Sequence, residues 1–183
     1  MWLDDCVLTE RLCLRAPRES DKDALIRLLT DSRVRRYLGG PVDEDTARDA
    51  LLGALDDHRW GVFIPVRKDT GDVVGSCQLD RERGELEISY QLLPEFWGHG
   101  YATEAVVAVL RWAASANDDP HIIAVTQTAN EPSCRLLQRL GMRRSETFEE
   151  YGVEQAKYRL DGPDWRAGLG EPCGPGLRTN LAE

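Results

Sequence analysis

The spacing of hydrophobic and polar positions predicts a strand at the start of the chain. Leu8, Leu12 and Leu14 stand among polar residues between Val7 and Arg15, and Pro17 follows. Alternation of this kind is typical of a half-buried strand. A short loop at residues 9–10 is expected to interrupt it.

Two amphipathic helices are predicted next. The first has an apolar face over residues 25–29 and follows Ser20, a residue type that often caps a helix. The second begins near Asp43 and carries small and apolar residues three and four positions apart over residues 47–55. The stretch between them contains two consecutive glycines and a proline.

The remaining pattern predicts a mixed α/β sheet with helices on its faces. Three strand-like runs joined by turn sequences indicate an antiparallel meander, and strands then alternate with helices. In chain order these elements are strands Arg59–Val66, Val73–Leu79 and Leu86–Leu93, helix Ala102–Ala116, strand Ile122–Thr126, helix Pro132–Leu140, and strands Arg144–Tyr151 and Ala156–Leu160. The density of Gly and Pro after Asp161 predicts a domain over residues 1–160 and a tail over 161–183.

Length and charge restrict the class of protein. The 183 residues, 42% of them hydrophobic, suffice for one domain with a sizeable core. A net charge of −9 argues against binding to nucleic acid and favours a cationic or amine partner. No apolar run approaches the roughly 18 residues that span a bilayer, and the first residues are acidic, so we expect a cytoplasmic protein with no membrane partner.

Neither cysteine nor histidine spacing indicates a metal site. The five cysteines are odd in number and scattered, without a C-x-x-C pair, which favours reduced thiols. The three histidines also stand apart in sequence.

The densest motif is a glycine turn over residues 94–105, PEFWGHGYATEA, between a predicted strand and a predicted helix. Gly98 and Gly100 allow successive N–H groups to point one way at a helix N-terminus, an arrangement that binds phosphate. A tight turn without a ligand is the alternative. The sequence is neither a P-loop, because Tyr101-Ala102 replace the Lys and Ser or Thr, nor a dinucleotide fingerprint, because Thr103 replaces the third glycine.

Four segments in order resemble the GNAT superfamily of acyl-CoA-dependent N-acetyltransferases, most closely the branch of the ribosomal-protein N-terminal acetyltransferases. They cover about residues 7–160. The segments are LTERLCLR at 8–15, EISY at 87–90, the glycine turn at 94–105, and NEPS at 130–133 with its continuation LGM at 140–142. The resemblance implies about seven mostly antiparallel strands with a splayed central pair and about four helices.

The resemblance also implies acetyl-CoA as the acyl donor. The expected coenzyme contacts are Leu92, Leu93, Gly98, His99, Gly100, Tyr101, Ala102, Thr103, Asn130 and Ser133. The turn amides would hold the pyrophosphate, and the pantetheine arm would lie between the splayed strands. The peptide N–H of Leu92 would polarise the thioester carbonyl as an oxyanion donor.

Two positions depart from the family pattern. Glu95 stands where many members have Gln or Arg, so its carboxylate must point away from a bound phosphate. Leu137 stands where many members have a tyrosine that protonates the departing thiolate, so the acid must come from elsewhere.

Amine acetylation needs a group that removes a proton from the attacking nitrogen and a group that protonates the leaving sulfur. Glu87 is the candidate base, with a structural hydrogen-bonding role as the alternative. Ser133 is the candidate acid, with a contribution to the helix cap as the alternative. Cys134 is set aside as a core residue, and Glu104 is expected either to stabilise the start of its helix or to face the acceptor.

The leading hypothesis is therefore an N-acetyltransferase that transfers acetyl directly from acetyl-CoA to a primary amine, on a peptide N-terminus or on a small molecule such as an amino sugar, antibiotic or polyamine. The acceptor is expected to be cationic, and a homodimer is left open. The alternative is a catalytically silent module that binds acyl-CoA. A nucleotide-phosphate hydrolase is disfavoured, because the P-loop lysine and an obvious magnesium carboxylate are missing.

Overall fold

A computed structural model describes residues 6–56, 60–81, 83–116 and 118–161, without the side chains of 52–56. Its strands are β1 Val7–Leu8, β2 Leu12–Arg15, β3 Val62–Arg67, β4 Gly75–Asp80, β5 Glu87–Leu92, β6 His121–Gln127, β7 Arg143–Glu150 and β8 Val153–Asp161. Its α-helices are α1 Lys22–Thr30, α2 Glu44–Asp56, α3 Tyr101–Ala116 and α4 Glu131–Arg139. The predicted tail lies outside the described residues except for Asp161, so the domain boundary stays a prediction.

The described strands form one sheet in the order β1-β2-β3-β4-β5-β6-β8-β7. Neighbouring strands are antiparallel except β5 and β6, which are parallel. This confirms the mixed sheet with four helices. The count is eight rather than seven because the loop at residues 9–10 divides the first strand in two.

The parallel pair β5 and β6 diverges after its first rung. Glu87 pairs with Ile123, and the Ile123 N–H donates to the Leu86 carbonyl at 2.8 Å. Beyond this point β5 is paired with β4 along its whole length, from Glu87 to Leu92, while β6 is paired with β8. The central gap that the family resemblance implied is therefore present.

The sheet separates two hydrophobic cores. Phe63 points to the face covered by α3 and α4, in a cluster that includes Val109 and Leu136. Ile64, the next residue of β3, points to the opposite face and packs with Leu28 and the other apolar residues of α1 and α2. Side chains alternate between the faces of a strand, so each helix pair covers one face.

The expected cap at Ser20 is wrong. Ser20 lies inside a 3-10 turn, Glu19–Asp21, that precedes α1. Asp21 is the N-cap residue of α1 and makes no side-chain hydrogen bond to that helix. Its carboxylate accepts the Arg18 backbone N–H at 2.8 Å, which closes the 3-10 turn, and both its oxygens pair with Arg15 at 2.7 Å. Asp21 is only 2% exposed, and the guanidinium of Arg15 compensates its buried charge.

We expect Gly61→Ala to destabilise the protein more than Gly71→Ala. Both glycines have positive φ, +89° and +78°, so an added Cβ is strained at either position. At Gly61 the Cβ would also lie 2.3 Å from the Leu79 carbonyl oxygen, whereas at Gly71 it would meet nothing within 4 Å. The backbone overlap should lower the free energy of unfolding by about 1–3 kcal/mol more, as overpacking commonly does. Urea denaturation of both variants measures the difference, and equal midpoints would contradict this account.

Candidate active site

A cavity of about 740 Å³ lies beside the glycine turn, within the size range of small-ligand sites. Its walls come from the segment after α1, the end of β5, the glycine turn with the start of α3, and α4. The described lining residues are Arg33, Val34, Arg36, Tyr37, Leu38, Tyr90, Gln91, Leu92, Phe96, Trp97, Gly98, Gly100, Tyr101, Ala102, Thr103, Asn130, Pro132, Ser133, Arg135, Leu136 and Arg139.

The glycine turn has the backbone that its sequence predicts. Gly98 and Gly100 have φ of +78° and +81°, a region that residues with a Cβ rarely adopt. Helix α3 begins immediately afterwards at Tyr101. The first N–H groups of a helix have no partner within it and carry partial positive charge. The turn therefore presents unpaired donors next to the cavity.

Glu104 and Arg11 attach this turn to the N-terminal strands. The Glu104 carboxylate accepts hydrogen bonds from the Thr9 hydroxyl at 2.6 Å, the Arg11 backbone N–H at 2.8 Å and Arg11 Nε at 2.7 Å. Arg11 Nη1 also donates to the His99 carbonyl at 2.9 Å, and its guanidinium lies 4.3 Å from the centre of the Tyr101 ring. Glu104 lies in the first turn of α3, where its negative charge favours the helix N-terminus, and it is not among the described residues that line the cavity. A role toward the acceptor stays a prediction.

The electrostatic state of Glu104 follows from these contacts. Burial acts to raise the pKa of Glu104, but hydrogen bonds from Thr9 and Arg11 and the Arg11 charge outweigh it. Its pKa consequently lies below the ordinary value, and the carboxylate is charged at neutral pH. A charged acceptor strengthens each of these hydrogen bonds.

The backbone at the end of β5 points alternately toward β4 and toward the gap. The Leu93 N–H donates to the Val74 carbonyl at 2.9 Å, and the Leu93 carbonyl accepts the Phe96 N–H at 3.0 Å. Since successive N–H groups of a strand point in opposite directions, those of Tyr90 and Leu92 point toward the gap. Leu93 is 1% exposed and its N–H belongs to the sheet.

At the start of α4, Asn130 is the helix cap and its side chain accepts the Ser133 backbone N–H at 3.4 Å. The Ser133 hydroxyl is directed elsewhere and forms a hydrogen bond of 2.8 Å with the Tyr90 hydroxyl. Burial raises the pKa of Tyr90 to about 12, although this hydrogen bond acts to lower it. Tyr90 and Ser133 both line the cavity.

Glu87 lies at the opposite end of β5 and is not among the described lining residues. Its Oε2 is 3.3 Å from Arg83 Nε, and Arg83 Nη2 is 2.6 Å from Glu150 Oε2. Its side chain is 12% exposed. Leu92 is five positions after Glu87 along the strand, which is roughly 16 Å at 3.3 Å per residue.

The two departures from the family pattern have clear structural settings. Glu95 is ion-paired with Arg27 at 2.7 Å, and it does not appear among the described residues that line the cavity. Burial acts to raise the pKa of Glu95, but its backbone hydrogen bond and Arg27 bring it below the ordinary value. Leu137 is 1% exposed in the core and presents no donor to the cavity.

The charged side chains that line the cavity are opposite in sign to the net charge of the whole chain, and two of them, Arg33 and Arg135, are ion-paired with Asp31 and Glu131 outside the lining. Arg33, Arg36, Arg135 and Arg139 line the cavity, and no Asp or Glu does so among the described residues. The chain as a whole carries a net charge of −9. A concave surface of this kind attracts an anionic ligand locally.

Comparison with known proteins agrees with the sheet and the turn. The sequence matches the acetyltransferase (GNAT) domain family over residues 11–143. The chain belongs to the GNAT family. Like other members, this N-acetyltransferase is an acyltransferase that depends on acetyl-CoA, and its reaction is acetyl transfer to an amine.

Individual relatives align with this acetyltransferase over most of its length. The uncharacterized N-acetyltransferase p20 of Bacillus licheniformis is 31% identical over 164 residues, which are 85% of this chain and 91% of p20. A GNAT-family acetyltransferase structure from Bacillus anthracis superposes with a TM-score of 0.76 at 25% identity, over 85% and 98% of the two chains. The spermidine N-acetyltransferase of Vibrio cholerae, solved with CoA and spermine, has the same fold, with a TM-score of 0.72 at 15% identity over 86% and 98%.

The acetyltransferase brings most of the predicted coenzyme contacts to one cavity. Its lining includes Leu92, Gly98, Gly100, Tyr101, Ala102, Thr103, Asn130 and Ser133, but not Leu93, His99 or Glu87. The arginines of the cavity and the Tyr90–Ser133 bond were not predicted from the sequence. The repeated arginines after α1 and at the end of α4 were the signal that could have indicated a basic pocket.

Two further observations apply to the described part of the chain. No group of three or more His, Cys, Asp or Glu residues there is arranged to hold a metal ion. No helix there is long and apolar enough to cross a membrane.

We expect Glu104→Gln to weaken acetyl-CoA binding about tenfold, which corresponds to roughly 1.4 kcal/mol. The substitution keeps the side-chain shape but removes the charge that holds Arg11, and thereby loosens the tie to the His99 carbonyl. Calorimetric titration measures the dissociation constant. Glu44→Gln, which removes an exposed ion pair with Arg48 on α2, is the matched control. An unchanged dissociation constant for Glu104→Gln would show that the turn keeps its shape without this tie.

Proposed function

We propose that this acetyltransferase holds acetyl-CoA in the cavity beside the glycine turn and transfers the acetyl group directly to a cationic primary amine. The acceptor is a peptide N-terminus or a small-molecule amine. The observation that carries the proposal is the combination of the glycine turn, the gap after Glu87 and four arginines in a single cavity.

The coenzyme contacts follow from the direction of backbone donors. The amides of Gly98, His99, Gly100, Tyr101 and Ala102 would bind the pyrophosphate at the start of α3. Thr103 and Asn130 would complete the binding surface. The pantetheine arm would lie in the gap along β5, where the Leu92 N–H is available to a carbonyl. Leu93 would contribute through the second lone pair of its carbonyl, which already accepts the Phe96 N–H, because its own N–H is donated to the Val74 carbonyl.

Direct transfer begins when the neutral amine attacks the thioester carbonyl. The developing oxyanion would be stabilised by the Leu92 N–H. The carbon–sulfur bond then breaks, and the thiolate takes a proton from the Ser133 hydroxyl. The nitrogen loses its proton to a base, and a proton returns from the base to the Ser133 oxygen through solvent, so the sum is an amide and a free thiol.

Glu87 is proposed as the base, acting through solvent. Its distance from Leu92 along the strand is too great for direct contact with an amine at the thioester. It lies on the same strand face as Ser89 and Gln91, a polar row that leads toward the cavity. The ion pair with Arg83 supports the structural alternative, in which Glu87 positions Arg83 and Arg83 fastens the turn before β5 to Glu150 at the end of β7.

The proposal of a cationic acceptor rests on the acidic surface outside the coenzyme cavity. Glu150 at the end of β7 lies near the Glu87 end of β5, where Arg83 bridges Glu150 and Glu87, and Glu149 precedes Glu150 on the same strand. The segment after α1 contributes arginines, not its acidic residues, to the cavity. Acceptor selection by charge would therefore occur on the β7 side.

We expect the wild-type protein to bind acetyl-CoA in the micromolar range and to release thiol with at least one amine from a panel of polyamines, amino sugars and N-terminal peptides. Gly98→Val should weaken binding more than tenfold, because valine is strained at φ +78° and places its side chain beside the cavity. Gly84→Val, at a glycine of similar φ (+77°) outside the cavity, is the matched control. Absence of acetyl-CoA binding would contradict the proposed function.

The silent-module alternative is favoured by one observation, the replacement of the usual tyrosine acid by the buried Leu137. A module of this kind would bind acetyl-CoA with the same affinity and release no thiol with any amine. The titration and the thiol assay on one sample therefore separate the two functions.

We expect Glu87→Gln to lower kcat by about 100-fold, within the usual range for loss of a general base, while the dissociation constant for acetyl-CoA changes less than twofold. The rate should recover partly at high pH, where the amine is neutral without assistance. Asp69→Asn, which removes an exposed ion pair with Arg67, is the control for loss of a surface carboxylate. A lower melting temperature with an unchanged kcat would assign Glu87 to the structural role.

A further inference from the structure

The hydrogen bond between Tyr90 and Ser133 joins the two walls of the coenzyme cavity. Tyr90 is on β5 and Ser133 is in the first turn of α4, 43 residues later, and their hydroxyl oxygens are 2.8 Å apart. Each hydroxyl can both donate and accept. If Tyr90 donates to Ser133, the Ser133 proton is free to point into the cavity.

Ser133 acting alone is a poor proton source for a departing thiolate. An alkyl hydroxyl is a far weaker acid than a thiol, whose ordinary pKa is about 8.5, so donation would leave a high-energy alkoxide. A phenol is the stronger acid of the two hydroxyl types, with an ordinary pKa of about 10. Negative charge is therefore better placed on the Tyr90 ring than on the Ser133 side chain.

The surroundings of Tyr90 keep its phenol protonated at neutral pH, so the ring holds a proton that it can give up. Burial raises its pKa to about 12, while the Ser133 hydrogen bond and the positive charge of Arg139 act in the opposite direction. Arg139 lines the same cavity. Leu137 stands where many family members have the tyrosine acid. It is buried in the core and offers no proton.

We propose that Tyr90 is a positioning residue that orients the Ser133 hydroxyl toward the sulfur and replaces the proton that Ser133 gives up. This inference rests on the proposed acetyl transfer. As the carbon–sulfur bond breaks, its electron pair remains on sulfur, and the Ser133 proton forms the thiol. The Tyr90 proton moves to the Ser133 oxygen, and the proton lost by the amine returns to Tyr90 through solvent.

The test is a double-mutant cycle with Tyr90→Phe, Ser133→Ala and the two combined. Each single variant should lower kcat by 10- to 100-fold while the dissociation constant for acetyl-CoA changes less than twofold. If the two hydroxyls form a single relay, the double variant should be no slower than the slower single variant. Ser133→Thr, which keeps a hydroxyl, should recover at least part of the rate.

Tyr158→Phe is the matched control, because Tyr158 is fully buried and does not line the cavity. Its kcat should equal that of the wild type. Melting temperature and acetyl-CoA affinity identify any variant that is merely misfolded, and Tyr90→Phe preserves the ring that packs against the core.

Three results would overturn the inference. Tyr90→Phe could retain the wild-type kcat, the double variant could show the product of the two single losses, or the loss could appear in acetyl-CoA affinity alone. A wild-type protein that binds acetyl-CoA but acetylates no amine would contradict the proposed function itself, and this is seen before any variant is compared.

Discussion

The function of this fold depends on the point at which β5 and β6 separate. Both strands are committed elsewhere, β5 to β4 and β6 to β8, and they share one rung at Glu87 and Ile123. Because β5 remains in the sheet, its N–H groups at Tyr90 and Leu92 keep fixed directions although β6 has moved away. The separation converts backbone donors that would otherwise complete a ladder into donors available to a carbonyl in the gap.

A fixed glycine turn is the second requirement, and the N-terminal strands supply it. Arg11 reaches the His99 carbonyl and the Tyr101 ring, and Glu104 holds Arg11 by its side chain and backbone. The positive φ of Gly98 and Gly100 allows the turn, but glycine by itself does not restrict it. The ion pair links residues 93 positions apart, so the edge of the sheet restrains the loop that faces the cavity.

The spacing of apolar residues was sufficient to predict the strands and helices, because this local pattern determines which face of each element is buried. The alternation over Val7–Arg15 gave β1 and β2, and the GNAT resemblance correctly implied the gap. Ser20 failed as a cap because Asp21, one residue later, can also pair with Arg15, a tertiary contact that propensity does not contain. The basic cavity could not be read from a net charge of −9, since a sum over the chain does not show where charges meet.

Distance along β5 separates the proposed base, Glu87, from the proposed acid chemistry at Tyr90 and Ser133. Strand alternation correctly placed Glu87 on the same strand face as Ser89 and Gln91. Sharing a face does not fix where a residue lies along the strand, and Glu87 is five positions before Leu92. Tyr90 and Ser133, by contrast, meet at the cavity itself. In the proposed reaction, the acid chemistry of Tyr90 and Ser133 would act by contact, whereas base chemistry at Glu87 would require water. Such a division would tolerate replacement of the usual tyrosine by Leu137, because β5 would supply the phenol that α4 lacks.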